Sequence, residues 1–356
     1  MKILIIGFAK IKYMPYLYFY LDLLREKNEI HIAYWDRDTS EDTKVCPSVV
    51  LHTFNKVITD DCPKMKKLIY FYYFKKFVAN IMNQHNFDFI IVLTSIPAIL
   101  LKDVLLKQYK SRYIFDLRDL TYESIPLYRK WVGQIVENSY ATFISSDAFR
   151  RYLPDSDKIQ TIHNITEESI NHRMEARKQG IPIKITFWGL IRHEEINKAI
   201  IRKIANDSRF EMHYYGREQN VALNLKQFVQ EINAKNIYFH GEYQPADRYV
   251  FAENAALIHN MYENDVTSYA IGNKYYDGIL FRIPQLCTKG SYMGKAVQES
   301  GIGITCDPRD DTFIDTILQY YKNLDFEEFG RRCDRALSEI LFVQRENAEI
   351  LQKLIK

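Results

Sequence analysis

Short unbroken apolar runs alternate along the chain with stretches in which apolar residues recur every three or four positions. Residues 2–7, KILIIG, form a run of the kind buried on both faces of a parallel sheet. Leu17, Leu21 and Leu24, within residues 16–27, mark one face of a helix. The spacing then predicts a strand at 29–35, a long helix from about Met65 to Gln84 and a strand at 88–93. A helix at 97–108 and strands at 112–116 and 141–145 follow. Strands separated by helical segments imply βαβ units and a doubly wound sheet.

A polar, helix-poor stretch from Asn164 to Pro182 interrupts the pattern, which then restarts. A strand is predicted at 183–188, ending at Gly189, and a helix at about 194–206. Strands at 210–215 and 236–240 end at Gly216 and Gly241, and further strands lie at 255–260 and 283–287, with Gly301 to Ile304 after them. The expectation is two tandem doubly wound α/β domains, 1–170 and 171–340, joined near residue 170. Residues 341–356 would form a C-terminal segment whose amphipathic helix, about 347–356, packs back on the first domain.

With 356 residues the chain exceeds what one core usually serves, which agrees with two domains. A hydrophobic fraction of 47% and a charged fraction of 26% are ordinary for a folded protein. The net charge of +3 gives no argument for a nucleic-acid partner. Cys46, Cys62, Cys287, Cys306 and Cys333 are scattered, without metal-ligand spacing or a disulfide framework, which suits a reducing cytoplasm. Phe89 to Leu101 is too short to span a bilayer and contains Pro97. The N-terminal run lacks a cleavage pattern and reads as a first strand. The 26 Tyr and 21 Phe residues stand out. In KMKKLIYFYYFKKF, Lys64 to Phe77, lysines interleave with aromatics on a predicted helix. One reading is a helix lying on a membrane surface; the other is a core helix with a basic outer face, packing Leu68, Phe71 and Tyr72 on the sheet.

Ligands of doubly wound sheets bind at the carboxyl ends of the strands. Gly189, Gly216 and Gly241 would let a ligand approach the backbone there. In AIGNKYYDGILFRIPQ, Ala270 to Gln285, a helix is predicted from Asn273, as N-cap, to about Arg282. Lys274, Asp277 and Gly278 share one face near its start. Such a helix start with a lysine can hold a diphosphate, and the acid one turn deeper can accept from ribose hydroxyls. The alternative is a surface Lys–Asp pair. Asp116, Arg118 and Asp119 follow a strand and suit either a cleft or a solvated loop. Asp36-Arg37-Asp38 follows the second strand, but G-x-G-x-x-G is absent, which argues against NAD, and no metal is implied. His163, His193, His240 and His259 lie near strand ends, with none singled out as a base.

The run NKYYDGILFRIPQL resembles the donor segment of GT-B glycosyltransferases of the retaining group 1 (family 4-like) class. KITFWGLIR, MHYYGRE, NIYFHGEY and KGSYMGKAVQESGIGITCDP resemble further segments of that family in order, over residues 183–310. DLRDLTYES and SSDAFRRYL with IHN give a looser match in the first half. The resemblance implies two Rossmann-like domains facing each other across a cleft, the first for an acceptor and the second for a nucleotide-sugar donor. Asp277, Lys274 and Arg192 would be the catalytic set, with Gly189, Gly216, Gly241, Tyr243, Asn273 and Ser291 around the donor. Asp116, Arg118 and Asp119 would lie on the acceptor side. It further implies retention of configuration, no metal and no cofactor. Three positions depart from the family: the first loop reads GFAKIKYMP without its glycine pair, Tyr269 replaces a glutamate, and Glu195 stands near a basic position.

The function so implied is transfer of a sugar from a nucleotide diphosphate donor, UDP- or GDP-linked, to a saccharide acceptor, lipid-linked in one version. The setting would be surface polysaccharide assembly, in the cytoplasm or at the inner membrane face. The rival readings are a non-catalytic GT-B-like protein that binds a glycan or a partner, and a sugar-nucleotide epimerase.

Overall fold

The structure is a computed structural model that describes residues 1–355 except 39, 44, 59–61, 166–169, 178–179, 245–246 and 264–266. The predicted junction near residue 170 falls partly outside the described residues, as does the side chain of Lys64. The chain divides into two compact units, residues 1–164 with 342–356, and residues 165–341.

The first unit is built on strands β1 (Lys2–Ile6), β2 (Glu29–Asp36), β3 (Val50–Asn55), β4 (Phe89–Leu93), β5 (Tyr113–Leu117), β6 (Ala141–Ile144) and β7 (Ile159–Thr161). They form one parallel sheet in the order β3-β2-β1-β4-β5-β6-β7. Leu4, Ile5 and Ile6 are fully buried, each contributing roughly 1.5–3 kcal/mol of apolar burial. Helices α1 (Leu17–Leu24), α2 (Lys64–Gln84), α3 (Ser95–Leu100), α4 (Lys102–Gln108) and α5 (Pro126–Asn138) connect the strands. The helix expected at 97–108 is two helices, because Leu101, at φ −101° and ψ 8°, leaves helical geometry. β3 escapes the sequence pattern because, as an edge strand, it exposes Val50 and Leu51 and buries little besides Phe54.

The second unit holds β8 (Ile183–Trp188), β9 (Phe210–Tyr215), β10 (Ile237–Phe239), β11 (Leu257–Asn260), β12 (Gln285–Thr288) and β13 (Gly303–Cys306). This sheet is parallel in the order β10-β9-β8-β11-β12-β13. Helices α6 (Glu194–Ile204), α7 (Asn220–Glu231), α8 (Arg248–Glu253), α9 (Asn273–Leu280), α10 (Tyr292–Glu299) and α11 (Phe313–Asn323) flank it. The last helix, α12 (Phe326–Ile355), starts well before the expected 347. Its final part belongs to the first unit, where Leu351 joins the core of Ile3, Ile5 and Leu17. There Asn347 Nδ2 donates to the Thr161 carbonyl at 2.8 Å.

In both sheets the first strand has neighbours reached by connections running in opposite directions, β2 and β4 in one, β9 and β11 in the other. The carboxyl ends at such a reversal are the usual ligand positions of doubly wound sheets.

Candidate functional site

In the second unit the reversal lies between β8 and β11, where the chain runs into Gly189 and Tyr262 respectively. Gly189 has φ +119°, which only glycine adopts without strain, and its N–H donates to the Tyr215 carbonyl at 2.9 Å. A Cβ on Gly216 would stand 1.8 Å from the Gly189 carbonyl oxygen, so that position has no room for a side chain. Gly216 in turn donates to the Gly241 carbonyl at 2.7 Å. The three expected glycines thus form one hydrogen-bonded edge.

The start of α9 lies beside that edge: a Cβ on Gly189 would come 4.0 Å from Lys274 Nζ. The N-cap is Gly272, with extended φ/ψ and no side-chain cap, rather than Asn273, which already has helical geometry and begins the helix. The helix stops at Leu280, short of the expected Arg282. Lys274 is only 8% exposed. Its ammonium lies 4.1 Å from the Phe187 ring centre and 5.1 Å from that of Tyr262. Among the described residues it has no hydrogen-bond acceptor and no carboxylate at ion-pair distance. Burial pushes its pKa down to about 7; Asp277 opposes that shift and the charge of Arg192 adds to it.

Asp277 is also buried, at 6% exposure. The Trp188 indole N–H donates to its Oδ2 at 2.8 Å, and Arg248 Nε lies 4.0 Å from its Oδ1. Burial raises the Asp277 pKa, against the pull of Arg248, Trp188 and Lys274. The pair is therefore no surface salt bridge. It is a sunken cation and a sunken carboxylate, one turn apart, at the carboxyl edge of the sheet. Arg192 is exposed in the loop after β8, within electrostatic range of Lys274.

An aromatic stack borders the same edge. Tyr215 lies parallel to His240, with ring centres 4.1 Å apart, and to Phe251, at 4.2 Å. Tyr243 packs edge-on to Phe251 at 5.1 Å, and burial with the nearby Asp277 charge moves its pKa up to about 12. Tyr215 and His240 each immediately precede an edge glycine, a sequence signal that was there to be used. Trp188 likewise precedes Gly189, whereas Arg248 had no such signal, because only the folded chain brings it near Asp277.

Other expected residues have different tasks. Ser291 caps α10, accepting from Gly294 N at 3.0 Å and donating to the Thr288 carbonyl at 2.8 Å. His259 is buried between the Asn197 side chain at 3.1 Å and the Met261 N–H at 3.2 Å, and burial lowers its pKa to about 3. It is a neutral structural group. His193 sits in the left-handed region as the N-cap of α6, its Nδ1 2.9 Å from the Glu263 carbonyl.

In the first unit Asp116 and Arg118 do not form a solvated loop. Arg118 Nε is 2.6 Å from Asp116 Oδ1, and Tyr20 donates to Oδ2 at 2.6 Å, all of it buried. The Arg118 guanidinium also lies 4.5 Å from the Tyr16 ring centre. Asp116 is thereby spent on holding Arg118, while Asp119 is exposed. Asp36 and Asp38 clamp the buried Lys10, each 3.0 Å from Nζ. Thr94, at the end of β4, has φ +72°, a strained conformation for a β-branched residue and one without a sequence signal.

No protein-family model and no curated protein matches the sequence. Solved structures do match the fold across its length. Sucrose-phosphate synthase from Thermosynechococcus elongatus superposes with a TM-score of 0.76 at 12% identity, covering 99% of each chain. Anabaena Alr3699/HepE, solved in complex with UDP and glucose, gives 0.72 at 12% identity, again over 99% of each. The lipopolysaccharide outer core galactosyltransferase WaaB, in its apo form, gives 0.65 at 11% identity over 99% of this chain and 100% of that one. Two parallel sheets flanked by helices, shared with such neighbours from end to end, give this chain the GT-B fold of two Rossmann-like domains.

Proposed function

We propose that the protein is a glycosyltransferase that takes a sugar from a nucleotide diphosphate donor held in its second unit. The observation that carries this reading is Lys274, a buried ammonium facing two aromatic rings with, among the described residues, no carboxylate at ion-pair distance. A diphosphate seated against Gly189 and the first turn of α9 would supply the missing charge, with Arg192 reaching it from outside. Gly216 lets the Gly189 backbone pack closely at the edge and Gly241 leaves open space beside it, Asp277 would take the ribose, and Tyr243 and Asn273 would border the nucleotide. As the glycosidic bond breaks, the growing charge on the leaving diphosphate would be met by Lys274, Arg192 and the helix amides, without a metal. Retention of configuration rests on the sequence resemblance.

The acceptor is proposed to be a saccharide carried on a lipid, as in surface polysaccharide assembly. Arg118 and Asp119 of the first unit are its proposed contacts, with Asp116 holding Arg118 in place. α2 supports a membrane-borne acceptor: Met65, Leu68, Ile69, Tyr72 and Tyr73 are exposed on it, together with Lys66 and Lys76. Phe74, Val78, Ile81 and Met82 are what the helix buries, and Phe71 packs on Phe8 and Trp35, whereas Leu68 and Tyr72 are exposed and do not pack on the sheet. Among the described residues no helix is long and apolar enough to cross a membrane, so the contact would be peripheral. Binding to anionic but not zwitterionic vesicles, lost in Leu68→Asp with Tyr72→Ser, is expected; equal binding by that variant removes the membrane part.

The test of the donor site is thermal unfolding with UDP, GDP, CMP, TDP or NAD. A ligand at 100 times its dissociation constant adds about 2.7 kcal/mol to stability. One nucleoside diphosphate should shift the transition, and Asp277→Ala should abolish the shift. No shift with any of them would replace the transferase reading by that of a non-catalytic GT-B-like binding protein.

A further inference from the structure

At the edge of the first sheet three histidines from separate elements meet. His31 lies near the start of β2, His52 lies on the edge strand β3, and His85 follows the last turn of α2. His31 pairs with Val50 in the ladder, so His31 and His52 stand diagonally on one face of the sheet. It is also the face on which Trp35 stacks on Phe74 of α2, with ring centres 5.8 Å apart. His31 Nδ1 and His52 Nε2 are 2.8 Å apart, and one ligating atom from each of the three residues lies within 4.8 Å of the others. The remaining nitrogen of His31, Nε2, is 2.8 Å from Glu29 Oε1, and Glu29 also meets Lys2 at 3.0 Å.

We propose that His31 Nδ1, His52 Nε2 and a ring nitrogen of His85 bind a divalent transition ion of the zinc class. Three facts point the same way. Imidazole is the ligand that zinc and its neighbours prefer over calcium or magnesium. A carboxylate on the far nitrogen of a ligating histidine is the usual outer partner in such sites, fixing the tautomer and raising basicity, and Glu29 is in that position on His31. His31 is 3% exposed and its neighbours are half-buried, so a cation there would be partly shielded from water.

The chemistry balances without loss of a proton. In the metal-free pair Glu29 accepts from His31 Nε2–H, which leaves His31 Nδ1 to accept from His52 Nε2–H. Binding moves the His52 proton to its Nδ1, and both facing nitrogens are then free for the ion. Zinc–nitrogen bonds of about 2.0–2.1 Å set tetrahedral ligands about 3.3 Å apart. The His31–His52 pair at 2.8 Å therefore has to open by roughly half an ångström, a side-chain adjustment. A fourth position would be filled by solvent. Because these residues come from the amino half of β2 and the C-terminus of α2, the ion would sit away from the carboxyl edge and tie β3 to its neighbours.

The second unit supplies an internal control. Glu211, His213 and His240 repeat the arrangement, with His213 Nε2 3.1 Å from Glu211 and His213 Nδ1 3.0 Å from His240 Nε2. Among the described residues no third histidine or cysteine joins them within metal-ligand distance. Two imidazoles are expected to hold such an ion far more weakly than three.

The experiment uses full-length protein without a histidine tag, stripped with EDTA and titrated with zinc against a chromophoric chelator. Cobalt added instead should give the visible absorption of a tetrahedral site. One ion per chain is expected at submicromolar affinity. His52→Gln and His85→Gln should each weaken binding more than 100-fold, and Glu29→Gln about 10- to 100-fold. His213→Gln should leave the affinity unchanged. Wild-type protein that takes up no zinc at micromolar concentration, or shows only octahedral cobalt, overturns the proposal without reference to any variant. So does an affinity that His85→Gln does not change, or one that His213→Gln lowers equally.

Discussion

The buried cations of the first unit, Lys10 and Arg118, each have carboxylates around them: Asp36 and Asp38 at 3.0 Å for one, Asp116 at 2.6 Å for the other. The buried cation of the second unit, Lys274, has Phe187 and Tyr262 instead. All three were expensive to bury, since an ion loses its hydration on leaving water. In the first unit that cost is offset within the protein by those carboxylates. In the second it is left standing, at the point of the sheet where ligands bind. On the proposed function, a ligand diphosphate supplies the close counter-charge that Lys274 does not find among the described residues.

The largest expected effect tests the compensated side. Asp116→Asn leaves Arg118 buried without its counter-charge, which should cost about 3–5 kcal/mol of stability. Chemical denaturation should show it, with nucleotide affinity of the surviving folded protein unchanged. A stability loss below 1 kcal/mol would mean that Arg118 is solvated and the contrast false. Lys274→Met tests the other side, and its effects should have opposite signs. Nucleoside diphosphate affinity should fall by about 2–4 kcal/mol, roughly 30- to 1000-fold, while the unliganded variant unfolds at a higher temperature because the ammonium no longer has to be desolvated. The cause of the higher melting temperature is the loss of the ammonium's own burial cost, since buried Asp277 remains; calorimetric titration and a melting curve read both effects. A variant that loses stability as well would assign Lys274 to the core rather than to a ligand.

The titration of Lys274 gives a third and smaller effect. Its folded pKa of about 7 lies below the ordinary lysine value of 10.5. Below pH 7 both folded and unfolded forms are charged and the burial cost is present in full. As pH rises from 7 to 10.5 the folded state sheds the proton first, so the cost shrinks and this residue's contribution to stability rises. Affinity for a diphosphate moves the other way, falling by up to about tenfold per pH unit above 7. Wild type minus Lys274→Met isolates both trends; parallel pH profiles of the two proteins would refute the assignment.

Much of this was legible in the chain. The largely apolar run IKITFW and the alternation in FEMHYY, where Phe210, Met212 and Tyr214 are buried and the residues between them half-buried, place β8 and β9 at the residues predicted, because both are strong local strand signals. The edge glycines and Lys274 with Asp277 follow from strand ends and helix spacing. What stayed hidden depends on long-range geometry. β3 is too exposed to have an apolar signature, and Trp188 meets Asp277 across 89 residues. The three clustered histidines of the first unit come from positions 31, 52 and 85, a spacing no local motif describes. Asp116 and Arg118 resembled a surface loop because burial of a charge pair leaves no trace in polarity.

The smallest predicted effect probes how Asp277 is kept ready. Burial pushes its pKa up, and the Trp188 indole N–H at 2.8 Å is one of the groups opposing that shift. Trp188→Phe retains most of the apolar body but removes the donor. A buried carboxylate deprived of one hydrogen bond should rise further in pKa, by the equivalent of about 1–2 kcal/mol. The shift has a definite sign: more of the Asp277 population is protonated at a given acidic pH, so the acid limb of nucleotide binding moves to higher pH. As pH rises until the carboxylate is ionised in both proteins, the two affinities should converge. A uniform loss at every pH would instead mean that the indole matters for its shape, and that Arg248 and Lys274 keep the carboxylate charged.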